Sequence, residues 1–289
     1  MSISNEWLVR LRNQLYVRGR LKSWKFKFQV NTLRNLMRTS NLHWIFQDEF
    51  GVLLRKYPTD NLEYILRYGV LSDAGILCKY LSSIDGSVAI DVGANRGQIS
   101  VMLAKNFERV IAVEPDLENL ERLTETLMLN SITNVEIKEL ALSSRTGVSD
   151  LRVSNDYGHH TLESRHISSE KETKQVRIQS LDDACKIWGV QRIDLLKIDV
   201  EGHEMEVLKG AMTLLNAGLI KSIIFEHSPV LSDLQKRDIY EVHDLLVGMG
   251  FVIFSLDLNL LEREELPSIG QIDLLAKFSD RSSISATAI

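Results

Sequence analysis

Residues 88–97, Val-Ala-Ile-Asp-Val-Gly-Ala-Asn-Arg-Gly, restrict the possible folds of this chain more than any other stretch. Val88, Ala89, Ile90 and Val92 form a short apolar run that reads as a buried strand. Asp91 and Gly93 sit at its end, and Gly97 opens a helical segment, Gln98 to Phe107. A strand that passes through a glycine-rich turn into a helix sets backbone N–H groups beside a ligand. The spacing is Asp91-x-Gly93-x-x-x-Gly97, whereas nicotinamide and flavin proteins favour G-x-G-x-x-G, so a dinucleotide oxidoreductase is disfavoured. A second run, Arg109–Pro115, carries Glu114 near its end. That acid falls about 20 residues past the glycines, where Rossmann-type folds hold a ribose.

From about residue 61 the strand and helix signals alternate. Asn61–Ser83 reads as one or two helices before the first strand, Val88–Gly93. Further strands are expected at Arg109–Pro115, Val135–Leu142, Asp194–Val200 and Ser222–Glu226, with a late pair at Phe251–Leu256 and Asp273–Phe278. Leu117, Leu120, Leu123 and Leu127 mark one intervening helix, and Met205, Leu208, Ala211, Met212 and Leu215 another. This order predicts an α/β fold with a doubly wound, Rossmann-like, largely parallel sheet and an antiparallel edge. Residues 147–180 break the alternation with short, partly β-like pieces, Gly147–Val153, His160–Glu163 and Gln175–Ser180. They read as an insertion over the mouth of the sheet, where long connections bind substrates.

The expected organisation is a basic N-terminal helical extension, residues 1–60, followed by one catalytic-type domain, 61–289. Nine Lys or Arg side chains lie between Arg10 and Arg38, with Glu6 the single acid of the first 38 positions. Trp24, Phe26 and Phe28 interleave with them. Two readings fit: an amphipathic arm that docks on an anionic membrane or a partner subunit, and a helical cap whose long stems cover apolar surface. Over all 289 residues the formal net charge is −5, which argues against a wholesale nucleic-acid coat. Cys78 and Cys185 give neither a metal spacing nor a disulfide framework and fit a reducing compartment. No apolar run is long enough to span a bilayer, and the first residues lack a signal-peptide layout, so a cytoplasmic location is expected, with peripheral membrane contact through the arm as an option.

Taken together the motifs resemble the FkbM-type methyltransferase family. The matching pieces are IDVGANRGQIS at 90–100, VEPDLENLERL at 113–123, ELALSSRTG at 139–147, SLDD at 180–183, DLLKIDVEGHEMEVLKGA at 194–211 and IIFEHS at 223–228. DLLAKF at 273–278 resembles the family's final strand, and the glycine spacing resembles that of S-adenosylmethionine enzymes. The resemblance implies the seven-stranded sheet of class I methyltransferases, S-adenosylmethionine as cofactor with S-adenosylhomocysteine as product, and a hydroxyl acceptor on a sugar, glycolipid or natural product. It places the cofactor on Asp91, Gly93, Ala94, Asn95, Gly97, Ser100, Glu114 and Asn119, with Leu140 and Ala141 flanking the adenine. Gly93 and Gly97 are expected to let the ligand approach the backbone closely.

Methyl transfer to an alkyl hydroxyl needs alignment and removal of a proton, by a positioned base or by a metal that acidifies the oxygen. The ends of the fourth and fifth strands gather Asp199, Glu201, His203, Glu226 and His227 as candidates. Lys197 reads as the structural partner of Asp199, and Glu204 as part of a helix start. Catechol-type enzymes hold Mg²⁺ at these strand ends with an acid-plus-amide pair on the fifth strand. Here the pair is Glu226-His227, which disfavours a divalent metal. In the insertion, Tyr157, His159 and His160 are candidate acceptor contacts in a stretch where the family tends to carry small residues. Rival readings are a nucleic-acid methyltransferase served by the basic arm, and a non-catalytic cofactor-binding scaffold.

Overall fold

The computed structural model describes residues 44–47, 51–56, 75–154, 160–163 and 170–279. The basic segment Arg10–Arg38, most of the expected Asn61–Ser83 helices, and Tyr157 and His159 lie outside the described residues. The chain divides into two units, Met1–Cys78 and Lys79–Ile289. In the first, strands β1 (Trp44–Gln47) and β2 (Leu53–Lys56) pair antiparallel, with Val52 and Leu54 buried. A short helix, α1 (Gly75–Leu81), leads into the second.

The second unit is built on β3 (Gly86–Val92), β4 (Phe107–Val113), β5 (Val135–Lys138), β9 (Leu195–Ile198), β10 (Ser222–His227), β11 (Phe251–Ser255) and β12 (Ile272–Phe278). They form a seven-stranded sheet in the order β11-β12-β10-β9-β3-β4-β5. The strands from β10 to β5 are parallel, and β12 runs antiparallel between β10 and β11. This is the doubly wound, Rossmann-like architecture that the alternation predicts, in the strand order that the family resemblance implies. Its central strands are apolar on both faces because helices cover both. Ile90, Val92, Ile111, Val113, Leu196, Ile198 and Phe225 share one core. Reversal of strand order between β3 and β9 opens a crevice at their C-terminal ends, where ligands of such sheets bind.

The helices start where their capping residues dictate. Helix α2 (Gln98–Ala104) follows the Gly93 turn, and α3 (Leu117–Leu129) begins at Asp116, whose side chain accepts from Asn119 N. Helix α4 (Leu181–Trp188) begins at Ser180, which accepts from Asp183 N. The expected helix through Met205 and Leu215 is two helices, α5 (Glu204–Lys209) and α6 (Met212–Asn216). The Asp182 carboxylate accepts from Thr213 N and Leu214 N at 2.8 and 3.0 Å, so it caps a fresh helix start there. Helices α7 (Pro229–Gln235) and α8 (Glu241–Gly248) follow β10. Among the described residues no helix is long and apolar enough to cross a membrane.

Two strand expectations change. Val135–Leu142 is not one strand: the chain turns at Leu140, whose N–H bonds Lys138 O, and β6 (Ala141–Leu142) joins a separate sheet. In that sheet β8 (Glu170–Gln179) lies between β6 and β7 (Gly147–Ser154). The insertion is therefore a long hairpin rather than short pieces. Its Glu-Lys-Glu-Thr-Lys run has no apolar alternation because most of it faces water, and backbone ladder bonds to β7 hold it straight.

Gly93 has φ +78, and a Cβ there would overlap the carbonyl oxygen of Asp199. Gly189 has a similar φ of +68 with open space around it. Gly93→Ala is expected to destabilise by about 3 kcal/mol or more, from backbone strain plus overpacking, and Gly189→Ala by only about 1–2 kcal/mol, from strain alone. Chemical denaturation of the two variants beside the parent measures this difference; equal losses would show that the Gly93 turn yields.

Candidate active site

The Gly93 turn is braced by the end of the neighbouring strand. Gly93 N and Ala94 N both donate to Val113 O at 3.0 Å. Asn95 N donates to Glu114 Oε2 at 2.9 Å, and Gly97 N to Ala94 O. The N–H groups of Gly93, Ala94, Asn95 and Gly97 are thus engaged within the protein, and a Cβ on Gly97 would meet Leu123 of α3. The glycines serve close approach of protein segments: Gly93 to the β9 end, Gly97 to α3. What the turn presents is its acids. Asp91 is fully buried; Oδ2 accepts from Ser100 Oγ at 2.6 Å, and Oδ1 lies 3.7 Å from Lys197 Nζ with no hydrogen-bond partner. Ser100, also fully buried, acts on the site through Asp91.

Glu114 stands at the end of β4. Its carboxylate accepts from Asn95 N, Asp116 N and, at 3.4 Å, Asn119 Nδ2. Burial pushes its pKa up to about 7, and those donors oppose the shift. Asn119 thereby orients Glu114. Leu140 and Ala141 are both buried at the β5–β6 turn, with Leu140 in the main core.

Acids gather at the ends of β9, β10 and β12. Lys197, inside β9 and almost fully buried, sits 3.0 Å from Asp199 Oδ2, as the sequence reading of that pair predicts. Asp199 is half-buried beyond it. Glu226 Oε1 accepts from Gln271 Nε2 at 2.6 Å, while Oε2 is buried without a hydrogen-bond partner. Burial, then the charges of Asp199 and Glu201, push Glu226 up to about 9. Asp273 faces Glu226 across the β10–β12 ladder and is pushed up to about 6 by burial and Asp199, with Lys197 opposing. Glu204 accepts from Val200 N and Gly202 N, and burial lifts it to about 7. Among the described residues no group of three or more His, Cys, Asp or Glu is arranged to hold a metal ion.

His203 and His227 have partners within the protein. His203 Nε2 meets Ser143 Oγ at 3.0 Å, and Nδ1 meets Glu163 Oε1 at 2.6 Å, so both ring nitrogens are engaged. His227 Nε2 donates to Leu266 O at 3.1 Å, and burial lowers its pKa. Strand alternation sets it on the face of β10 opposite Glu226. Glu201, at φ +53, offers its carbonyl to Thr161 Oγ1 at 2.9 Å. His160, beside Thr161, is half-buried, and its charge bears on Asp116. The insertion is thus fastened at two places, Thr161 and Glu163 to the β9–α5 loop, and Lys174 Nζ to Asp116 Oδ1 at 2.8 Å. Glu163, Arg237, Gln235 and Asp273 escaped the sequence reading. Only Asp273 had a signal there, through the antiparallel register opposite Glu226.

The family profile described as Methyltransferase FkbM domain matches residues 91–253, more than half of the 289-residue chain. Methyltransferase sdnD of Sordaria araneosa is 32% identical over 152 residues, 42% of this chain and 59% of that protein. Hexuronic acid methyltransferase AglP of Haloferax volcanii is 29% identical over 133 residues, 46% of this chain and 53% of that one. The chain thus spans little more than half the length of these curated relatives. Among solved structures, methyltransferase FkbM from Methylobacillus flagellatus KT aligns with a TM-score of 0.43 and 19% identity, over 67% of this chain and 44% of that one.

The Glu226 carboxyl carries a pH signature. In the unfolded chain it releases its proton near the ordinary value of 4.5, and in the fold it holds the proton to about 9. Between those values the folded state binds more protons, so stability falls as pH rises. Glu226→Gln keeps the oxygen that accepts from Gln271 and removes this effect. At pH 8 the variant should melt about 2 °C or more above the parent, with the gap closing toward pH 5. Thermal melts at both pH values check it; a variant that melts lower at pH 8 would mean that Glu226 is ionised in the fold.

Proposed function

The chain belongs to the FkbM methyltransferase family, and from that premise we propose that it moves a methyl group from S-adenosylmethionine to a hydroxyl oxygen of a small-molecule or glycan acceptor. The observation that carries this reading is the contact between the Gly93 turn and the carbonyl of Asp199, which sets the candidate cofactor turn directly against the acid cluster. The residues fit the cofactor. Asp91 Oδ1 is a buried acceptor without a hydrogen-bond partner at the turn, and Glu114 is fixed at the β4 end by three donors. Asp91, Asn95, Glu114 and Asn119 would hold or orient the ligand, with Leu140 and Ala141 as apolar neighbours. When bound, the cofactor supplies a methyl group activated for in-line displacement.

The roles on the acceptor side divide by environment. Asp199, half-buried and paired with Lys197, takes the acceptor's proton. Glu226, which keeps its own proton to about pH 9, donates a hydrogen bond that orients the acceptor oxygen. Glu201 contributes charge, His203 anchors the hairpin, and His227 anchors the segment around Leu266. The hairpin that Lys174, Thr161 and Glu163 fasten over the strand ends forms the outer wall. The activity on hexuronic acid named for the Haloferax volcanii relative supports a carbohydrate acceptor.

Labelled-methyl transfer from S-adenosylmethionine to neutral sugars, uronic acids and glycolipids, read by mass spectrometry, tests the reading. Asp199→Asn and Glu226→Gln should keep cofactor affinity within about tenfold. Asp199→Asn should lower the transfer rate about 100-fold or more, the scale of losing a positioned base, and Glu226→Gln, which keeps a neutral donor, about tenfold, the scale of one displaced hydrogen bond. His203→Gln should act chiefly on the acceptor KM. Near-normal turnover in both carboxylate variants, or labelling confined to amines, would overturn the reading.

A further inference from the structure

A small cavity opens behind Glu226, between α5, α7, α8 and the end of β10. Its lining includes Glu204, Glu226, Gln235, Arg237, Glu241 and His243. Its volume is about 40 Å³, enough for a few water-sized groups and too little for a whole sugar ring. Two polar atoms on its wall are buried without hydrogen-bond partners, Glu226 Oε2 and Gln235 Nε2. Gln235 as a whole is 9% exposed. Its amide packs directly against Gly202, where even a Cβ would overlap it. A buried amide N–H without a partner is costly, and the proton that Glu226 keeps falls on Oε2 because Oε1 accepts from Gln271, so this pair of donors is matched to a guest oxygen that accepts from both.

The charges on the wall say which guest. Arg237 is already engaged, by Gly202 O at 2.8 Å, Glu163 at 2.9 Å and Glu241 at 3.8 Å. His227 donates to Leu266 O, and His243 Nδ1 lies 2.9 Å from Asp244. Against these stand Glu204, Asp238 and Glu241, while Glu226 keeps its own proton and is uncharged. A carboxylate guest would meet three other acids and no uncommitted cation among these lining residues, a poor exchange for its hydration. A hydroxyl satisfies both open atoms with no net charge.

We propose that this cavity is a subsite that anchors an uncharged hydroxyl-bearing edge of the acceptor, that Gln235 is its specificity-determining residue, and that it rejects a carboxylate at that edge. The inference rests on the reading of the chain as a hydroxyl methyltransferase and goes beyond it by separating neutral glycosides from uronates.

Ligand-observed NMR on the full chain, saturated with S-adenosylhomocysteine so that no turnover occurs, tests it. The probes are the methyl glycosides of glucose, galactose and mannose and the matching methyl uronides. The neutral glycosides should bind, and the uronides at least about tenfold more weakly. Gln235→Leu and Gln235→Glu, each checked for fold by its thermal melt and by unchanged S-adenosylhomocysteine affinity, should weaken the neutral glycosides at least about tenfold, the scale of one buried hydrogen bond. Asp238→Asn with Glu241→Gln should narrow the gap between the two probe classes. Uronides that bind as tightly as neutral glycosides, neutral glycosides that fail to bind, or Gln235 variants that bind them like the parent would each overturn the subsite. Failure of the parent to bind S-adenosylhomocysteine would instead overturn the functional reading beneath it. Methyl transfer to a hydroxyl with a KM indifferent to Gln235 would leave that reading standing and remove the subsite.

Discussion

A single buried ammonium organises the charges of this fold. Lys197 lies within β9, and its side chain is 3% exposed. Taking an ammonium out of water is costly unless anions surround it. Here Asp199 Oδ2 is 3.0 Å away, Asp91 Oδ1 is 3.7 Å away, and Asp273 adds its field from β12. The aspartates belong to three other places in the chain: the end of β3, the loop past β9, and the antiparallel strand β12. Their attraction raises the Lys197 pKa against the pull of burial. The lysine in turn holds down Asp91 and Asp273, which burial drives upward. Both halves of the site, the glycine turn and the acid cluster, thus share one counter-ion.

The cluster stays strained even so. Glu226 and Glu204 are buried near other acids, Asp199 among them, and burial with those charges holds both carboxyl groups well above the usual carboxylate range. A fold selected for stability alone would place amides there. Retaining carboxyl groups that bind protons near or above neutrality leaves the site able to exchange a proton with a guest. Electrostatic discomfort at such a position is a common companion of function.

Much of this was legible in the sequence. The parallel sheet followed from apolar runs such as Val88–Val92 and Leu195–Ile198 alternating with amphipathic helices, because strands buried on both faces cannot be built otherwise. Asp91, Glu114, Asp199 and Glu226 stood at strand ends, and strand ends are where such a sheet presents its chemistry. What escaped depended on contacts far apart in sequence. The Glu170–Lys174 part of the hairpin has no apolar pattern, since its stability comes from backbone pairing with β7. Glu163 meets both His203 and Arg237 only after three loops have converged. Gln235 ends α7, and its place beside the cavity comes from the packing of separate helices, which no local pattern announces. The glycines were singled out for close approach, and among protein atoms the ones that come close to them belong to Asp199 and Leu123.

The contact of Gly93 with the Asp199 carbonyl has one more consequence. Two loops that meet with no side chain between them have no compressible layer to absorb displacement. A shift of the turn by a fraction of an ångström is transmitted whole to the peptide that carries Asp199. Ligand occupancy on one side of the crevice therefore registers in the backbone on the other, and amide exchange at residues 199–202 becomes a reporter of events at residues 93–97. The missing methyl group makes the two halves of the crevice a single mechanical part.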